Sequence, residues 1–275
     1  MKISIITWDA SFRESTHTID CFCSRDFDKN EYEFIWVDYY SGTRLAKDTI
    51  AKYQNARMIA MEHDRSEQWH LGKMINAGVK ASKGEILVIP DGDIIAGKDI
   101  LHYIAKEHSK YDNLALYHRR YDEISSKHGE QSYDIEYLKK NSVMVNPTNY
   151  AGCLSLKKEN FEKIKGYETH DAFAGPGING METNIRLRNA SLAIKWGEYD
   201  IYHPWHESTL KVGEREKIRK KLKRASADYM WLLPYAGRKQ SWIIYQRAKN
   251  IDIEADDSQC GEYIKKMPNI DLENY

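Results

Sequence analysis

Cysteine is scarce in this chain, which argues against a small domain stabilised by disulfide bonds or by zinc. Four cysteines occur in 275 residues: Cys21, Cys23, Cys153 and Cys260. Only the first two lie close together, and one C-x-C pair matches neither the paired spacing of a zinc ribbon nor a disulfide framework. We therefore expect free thiols, as in a cytosolic protein.

Long hydrophobic runs and an excess of charge of one sign are also missing. No stretch approaches the roughly 20 apolar residues that a membrane span requires. Lysine plus arginine and aspartate plus glutamate both number 41, so the overall charge gives no reason to expect nucleic acid as a partner. The apolar run at residues 3–7 is too short for a secretory signal and is predicted to be a first strand.

What is present predicts an α/β fold. Hydrophobic residues make up 41% of the chain and aromatic residues 12%, which is typical of a globular protein with a core. Short apolar runs alternate with segments of helical spacing, and the runs are too apolar for a sheet with one face in water. We therefore expect a mostly parallel central sheet flanked by helices. The first predicted strands are residues 3–7, 33–38, 58–61 and 85–90, and the first predicted helices are 16–24, 45–53 and 71–81.

The second half of the chain is less regular. Residues 121–146 are polar and rich in tyrosine, which predicts a loop with a helical piece. Residues 211–224 contain eight basic and two acidic residues, so we place a boundary near Leu210, between an α/β domain (1–209) and a C-terminal helical extension (210–275). The later predicted helices are 99–109, 159–164 and 182–189, and the later predicted strands are 113–118, 150–156, 193–196 and 200–202.

The most informative motif is Asp91-Gly92-Asp93, which directly follows the apolar run 85–90. Ligands of parallel sheets bind beyond the carboxyl ends of the strands, where Thr7 and Asp38 are also expected. Two carboxylates at the exposed end of a buried strand suit Mg²⁺ or Mn²⁺ holding a diphosphate. The alternative is a simple turn, because Asp-Gly is a common turn dipeptide.

Two later segments carry candidate chemistry. Residues 175–180 fit G-x-G-x-x-G, but no clear strand precedes them, so we interpret them as a mobile loop over a site rather than a dinucleotide motif. Glu182 follows this loop as a candidate general base, or it is simply favoured by the helix dipole. His203 or His206 is a candidate ligand that completes a metal site begun by Asp93; a packed histidine in a solvated loop is the alternative.

The order of these segments resembles the inverting glycosyltransferases of family 2, which have the GT-A fold, among them bacterial galactosyl and N-acetylhexosaminyl transferases. The resemblance covers about residues 2–209. It depends on six blocks in order, at residues 2–7, 33–42, 72–78, 83–93, 150–168 and 180–188. Trp8-Asp9-Ala10 departs from the family's usual Pro-x-Tyr-Asn turn, and Met181 stands where the family usually has glutamate.

The resemblance implies a role for each matching residue. Asp93, with His203 or His206, would hold Mn²⁺ or Mg²⁺, and Glu182 stands at the position of the family's catalytic aspartate. The residues implied in binding the nucleotide-sugar donor are Thr7, Asp38, Lys73, Asp91 and Gly92. Those implied in binding the acceptor are Gly180, Met181 and Trp205.

The implied reaction is sugar transfer from a nucleotide-diphosphate sugar, preferably a UDP-sugar, to a saccharide or lipid-linked saccharide. The expected location is the cytoplasm or the inner face of the cell membrane. Residues 211–224 either contact anionic lipid there or form a solvated helix packed on the core. The alternative functions are a nucleotidyltransferase, a metal-dependent phosphohydrolase and a non-catalytic nucleotide-sugar-binding module.

Overall fold

A seven-stranded sheet forms the centre of the structure, a computed structural model that describes residues 2–24, 27–125, 133–169, 173–175 and 179–206. The strands in these ranges are, in chain order, β1 (Ile3–Asp9), β2 (Tyr32–Asp38), β3 (Ala56–Ala60), β4 (Ile86–Pro90), β5 (Ile95–Ala96), β6 (Leu114–Tyr117), β7 (Arg120–Glu123), β8 (Ser142–Val143), β9 (Cys153–Lys157), β10 (Ala193–Trp196) and β11 (Ile201–His203). The helices are α1 (His17–Cys23), α2 (Arg44–Ile50), α3 (Leu71–Ala81), α4 (Ile100–Lys110), α5 (Ile135–Asn141), α6 (Lys158–Lys163) and α7 (Asn179–Asn189).

The central sheet has the strand order β10-β6-β9-β4-β1-β2-β3. Strand β9 is antiparallel to both of its neighbours, β4 and β6, and every other pairing in this sheet is parallel. This arrangement confirms the expected mostly parallel sheet. The C-terminal extension predicted for residues 210–275 lies outside the described residues.

Helices cover both faces of this sheet because successive strand residues point to opposite sides. Ile5 and Trp36 belong to a buried cluster that includes residues of α1, α2 and α4. Their neighbours Ile6 and Val37 belong to a second cluster, which includes residues of α3, α6 and α7. The strands are therefore buried on both faces, which explains why they read as continuous apolar runs in the sequence.

A second sheet has four strands in the order β5-β11-β7-β8. Strand β11 pairs in parallel with β7, so that His203 lies opposite Asp122. The prediction of a loop with a helical piece over residues 121–146 is right for α5 but wrong for β7 and β8. The sequence of β7, Arg-Tyr-Asp-Glu, lacks the β-branched residues typical of a strand.

No helix in the described ranges is both long enough and apolar enough to span a bilayer.

Gly72 offers a direct test of how α3 is packed. A Cβ atom at this position would overlap the backbone carbonyl oxygen of Glu168, which cannot rotate away. Glycine-to-alanine changes inside helices are normally favourable by about 0.5–1 kcal/mol. The overlap outweighs this gain, so we expect Gly72→Ala to destabilise the protein by about 1–3 kcal/mol in urea unfolding.

Gly97→Ala is the matched control for this change. Around Gly97 the nearest atom to an added Cβ is 3.8 Å away, an ordinary van der Waals distance. We expect its free energy of unfolding to stay within about 0.5 kcal/mol of that of the parent protein. A Gly72→Ala variant as stable as Gly97→Ala would show that the start of α3 is not packed against residue 168.

Candidate active site

The candidate site lies at the edge where the parallel strands β1, β2 and β4 end. Asp9 and Asp38 are register partners across β1 and β2, and Asp91 directly follows β4. Just inside this edge, the Thr7 hydroxyl donates a 3.0 Å hydrogen bond to the carbonyl oxygen of Pro90. The edge therefore gathers the carboxylates of three strands, as is usual for ligand sites in parallel sheets.

Asp93 and two histidines form a cluster next to this edge. Nε2 of His203 lies 3.6 Å from Asp93 Oδ2, and Nε2 of His206 lies 3.8 Å from the same oxygen. Within the described residues, these side chains each offer one ligand atom, and all three atoms lie within 4.8 Å of one another. Two ligand atoms that are each about 2.1 Å from one ion are separated by about 3 to 4.2 Å. The two aspartate–histidine distances therefore fit a shared divalent ion.

Arg13 contacts the same carboxylate oxygen. Its Nη1 donates a hydrogen bond to Asp93 Oδ2, and the arginine side chain is only 8% exposed. Burial alone would raise the pKa of Asp93, but Arg13 and His203 outweigh burial and hold that pKa well below its usual range. Asp93 is therefore a carboxylate at neutral pH, which is the form that binds a cation.

Arg120, on β7, neutralises the other two carboxylates of the site. Its Nη1 lies 3.2 Å from Asp91 Oδ2, and its Nη2 lies 3.0 Å from Asp122 Oδ1. Burial and the nearby Asp93 raise the pKa of Asp91 to about 6. Although burial lowers the pKa of His203, its bonds to Asp122 and Asp93 raise that pKa to about 9. His203 must therefore lose a proton before it can bind a metal.

Asp38, which is predicted to bind the donor, holds the turn after β1. Its carboxylate accepts hydrogen bonds from the backbone N–H of Ser11 (3.0 Å), the Ser11 hydroxyl (2.7 Å) and the backbone N–H of Tyr40 (2.8 Å). The residue is fully buried. Burial also raises the pKa of the neighbouring Asp9 to about 6. A ligand reaches Asp38 only if the turn over it shifts.

Two other predicted donor residues line the same turn and the start of α3. A Cβ atom on Gly92 would overlap the Arg13 side chain and lie 2.6 Å from the carbonyl oxygen of Trp8, so this position requires glycine. Lys73 lies half-buried in the first turn of α3. Trp8 stacks on Trp69, with ring centroids 5.2 Å apart. The turn after β1 thus presents an aromatic surface close to the carboxylates.

Glu182, the predicted base, forms a buried ion pair in the structure. It lies in the first turn of α7 and is 1% exposed. Arg186 donates from Nε to Glu182 Oε1 and from Nη2 to Oε2, the latter at 2.7 Å. The same guanidinium also donates to the carbonyl oxygens of Ile164 (2.5 Å) and Gly166 (2.7 Å). Burial raises the pKa of Glu182 against the opposing effect of Arg186.

The predicted acceptor residues lie on two different elements. Gly180 is the second residue of α7, and a Cβ atom there would come within 2.9 Å of the backbone before β9. Met181 is 48% exposed, an unusual state for a large apolar side chain. The backbone N–H of Trp205 donates a 2.9 Å hydrogen bond to Glu123 Oε2. Residues 176–178 of the predicted loop lie outside the described part of the chain.

Three site residues were not predicted from the sequence: Arg13, Arg120 and Asp122. Arg13 lies in the loop between β1 and α1, where a single arginine carries no signal. Arg120 and Asp122 alternate on β7, so they share one face of a strand. Recognition of β7 as a strand opposite β11 would have placed both of them beside His203.

The sheet order defines an α/β protein of the GT-A type. The chain belongs to glycosyl transferase family 2, because the model of that family matches residues 16–165, which are 150 of its 275 residues. A search of curated proteins found no match.

Several solved structures share the fold. TarS residues 1–349 from S. aureus, in complex with UDP, is 17% identical over 89% of this chain and 70% of that one, with a TM-score of 0.55. The mannosyltransferase PcManGT from Pyrobaculum calidifontis, in complex with GDP-Man and Mn²⁺, is 14% identical over 90% and 75%, with a TM-score of 0.53. GalNAc-T7 with UDP, GalNAc and Mn²⁺ is 13% identical over 96% and 56%, with a TM-score of 0.58.

Proposed function

We propose that the protein transfers a sugar from a nucleotide-diphosphate sugar, preferably a UDP-sugar, with the help of Mn²⁺ or Mg²⁺. The observation that carries this proposal is the convergence of His203 and His206 on one oxygen of Asp93 at the carboxyl edge of a family 2 domain. Structural neighbours with UDP, UDP-GlcNAc or GDP-Man bound support the nucleotide-sugar part of the proposal.

The donor set suits a divalent cation. Asp93 offers an ionised carboxylate, and the two histidines offer imidazole nitrogens at suitable distances. One carboxylate and two imidazoles are acceptable ligands for Mn²⁺. Mg²⁺ would use the carboxylate together with water molecules. Bound there, the ion would supply Lewis-acid neutralisation of the departing diphosphate.

The residues of the carboxyl edge bind and orient the donor in this proposal. Asp91 contacts the sugar or ribose, and Lys73 approaches the diphosphate from the first turn of α3. Asp38 binds the nucleobase, and Thr7 lies beside it. Because both are fully buried and already hydrogen-bonded, binding requires the turn over Asp38 to move.

We propose Glu182 as the general base that removes the acceptor proton, with inversion at the anomeric carbon. The family resemblance supports this assignment. Both oxygens of Glu182 contact Arg186, so one of them must leave the guanidinium before it can accept a proton. Met181, exposed beside it, and Trp205 are the proposed acceptor contacts.

The acceptor and the location are proposals that rest on the resemblance. A saccharide or lipid-linked saccharide is the proposed acceptor, and the cytoplasm or the inner face of the cell membrane is the proposed location. Co-sedimentation with anionic vesicles tests whether the basic residues 211–224 contact lipid. Salt-sensitive binding supports the contact, and a full-length protein that stays in the supernatant excludes it.

A thermal-shift screen tests the donor class. We expect UDP or a UDP-sugar at about 100 times its Kd, with Mn²⁺, to stabilise the protein by about 2.7 kcal/mol, which is about 5–10 °C in Tm. Each nucleotide is measured with and without Mn²⁺. Asp93→Asn is the control, and in this variant we expect Mn²⁺ to add nothing to the rise in Tm. If no nucleoside diphosphate or nucleotide sugar raises Tm under either condition, the proposed function is wrong.

A further inference from the structure

Three nitrogen atoms from different parts of the chain converge on a single oxygen, Oδ2 of Asp93. Two are the imidazole atoms of His203 and His206, at 3.6 and 3.8 Å. The third is Nη1 of Arg13, which forms the shortest of these contacts. The arginine therefore places its positive charge on the same oxygen that would bind a cation together with the two histidines.

Arg13 is held in this place and is not a surface side chain that touches Asp93 by chance. Its Nε lies 3.4 Å from the carbonyl oxygen of Trp8 and 3.9 Å from Asp9 Oδ1. Its guanidinium carbon lies 4.9 Å from the Trp8 ring centroid and 5.3 Å from that of Phe12, within cation–π distance. The turn after β1 therefore holds the guanidinium against Asp93 before any ligand binds.

The two arginines of the site have different partners. Arg120 contacts Asp91 and Asp122, whereas Arg13 is the arginine on Asp93. A divalent ion placed on the same oxygen as Arg13 would be strongly repelled, since like charges a few ångströms apart interact strongly in a buried site. The ion and Arg13 therefore compete for Asp93, and another anion that receives the guanidinium would relieve this competition.

A nucleoside diphosphate is an anion of the required kind. Guanidinium groups bind phosphate oxygens in a bidentate manner, and the planar fork of arginine is better suited to this than the lysine ammonium. A diphosphate bound at the carboxyl edge would lie next to both Asp93 and the turn that carries Arg13. The guanidinium can then exchange the carboxylate for phosphate while remaining packed on Trp8.

We propose that Arg13 is an exchangeable counter-ion of Asp93, which competes with the divalent cation and passes to the diphosphate when the donor binds. This inference rests on the proposed function, because it assumes the same metal and nucleotide sites. Its consequence is positive coupling: the cation binds weakly alone and more tightly with UDP, and by linkage the reverse holds by the same factor. Such an enzyme would hold the cation only weakly in the absence of its donor.

Isothermal titration of Mn²⁺ and UDP, with electron paramagnetic resonance of free Mn²⁺ as a second readout, tests this coupling. In the wild-type protein we expect saturating UDP to tighten Mn²⁺ binding by about tenfold or more, within the usual range of coupling between sites. In Arg13→Gln we expect Mn²⁺ alone to bind about tenfold more tightly and UDP, at saturating Mn²⁺, about tenfold more weakly. Arg13→Lys keeps the charge but loses the planar fork. Its affinities for Mn²⁺ and UDP should therefore fall between those of the wild type and Arg13→Gln.

Arg120→Gln is the matched control, because it removes the same charge from the same site without touching Asp93. We expect its affinity for Mn²⁺ alone to rise by only about threefold, because Arg120 acts on Asp93 through space and does not bond to the oxygen that the ion would use. An equal gain in both variants would mean that general electrostatics governs metal binding, and the exchange model would be wrong. Circular dichroism and urea unfolding show that each variant is folded; if Arg13→Gln does not fold, Arg13→Lys decides, and wild-type affinities for Mn²⁺ and UDP in that variant overturn the proposal.

The failure of this proposal can be told apart from the failure of the proposed function. If UDP binds but no protein variant binds Mn²⁺, the metal site and the counter-ion are both wrong, whereas a metal-independent sugar transfer is still supported. If Mn²⁺ binds but UDP does not, the proposed function fails and this inference fails with it. If both bind with coupling that Arg13→Gln leaves unchanged, only the role of Arg13 is wrong.

Discussion

Replacing Asp93 with asparagine should lower kcat/KM for sugar transfer by about 100-fold or more. Asparagine keeps the shape of the side chain but removes the charge on which Arg13, His203 and His206 converge. Lewis-acid stabilisation of a leaving diphosphate contributes several kcal/mol to the transition state, and about 2.7 kcal/mol corresponds to 100-fold in rate. The measurement is the initial rate of nucleoside diphosphate release across a Mn²⁺ titration, in which excess Mn²⁺ should not restore the rate.

Asp112→Asn is the control for this substitution. Asp112 is also a carboxylate in an ion pair, with Lys157, but it is 82% exposed and precedes β6, at the edge of the sheet opposite the carboxyl ends of the parallel strands. Its rate should stay within about twofold of the wild-type value, since exposed ion pairs contribute little. Wild-type kinetics in a folded Asp93→Asn variant would contradict the role of Asp93 in the reaction.

Breaking the Glu182–Arg186 pair should destabilise the protein by about 3–5 kcal/mol, because either single change leaves the other charge buried without its partner. Arg186→Met leaves a carboxylate that is 1% exposed, and Glu182→Gln leaves a guanidinium held by two carbonyl oxygens. The double change Glu182→Leu with Arg186→Met should cost about 1–2 kcal/mol, since an apolar replacement of a buried pair is often close to neutral. Urea unfolding of the wild type, the two single variants and the double variant gives the coupling free energy between residues 182 and 186.

An exposed pair on α5 provides the comparison. Glu136 and Lys139 lie 2.7 Å apart on the surface, and Glu136→Gln should change stability by about 0.5 kcal/mol or less. If Glu182→Gln is no more costly than Glu136→Gln, the Glu182–Arg186 pair is not buried in solution.

The double variant also separates two roles of Glu182. A general base contributes about 10²- to 10⁴-fold to the rate, so the folded double variant should bind UDP normally and transfer sugar at least about 100-fold more slowly. Activity within about tenfold of wild type, in a protein whose stability is largely kept, would show that Glu182 only supports the fold. The base would then have to be sought elsewhere.

Much of the fold could be predicted because local and global signals agree in the central sheet. The apolar runs that became β1, β2 and β4 are buried on both faces, and α3 was predicted with the observed ends at residues 71 and 81. The second sheet could not be predicted in this way. Its strand β7 carries Arg120 and Asp122 for the site, so its composition follows the chemistry of the site rather than strand propensity.

Site residues that belong to a recognisable sequence motif could be predicted. Residues that reach the site only through the folding of the chain could not. Asp93 and the two histidines were singled out in the sequence, and the structure places them together although about 110 residues separate them in the chain. The contact of Arg13 with Asp93 depends on how the turn after β1 folds back, which no spacing encodes. The same turn buries Asp38, a fact that the sequence pattern could not show.

Product analysis of nucleotide sugars incubated with the protein and Mn²⁺ tests the central claim most directly. We expect chromatography to show a nucleoside diphosphate together with sugar that is free or joined to an acceptor, and we expect Asp93→Asn to release neither. Pyrophosphate, or a nucleoside monophosphate with a sugar phosphate, would instead identify a nucleotidyltransferase or a phosphohydrolase. Nucleotide binding without any product would identify a non-catalytic module and contradict the account.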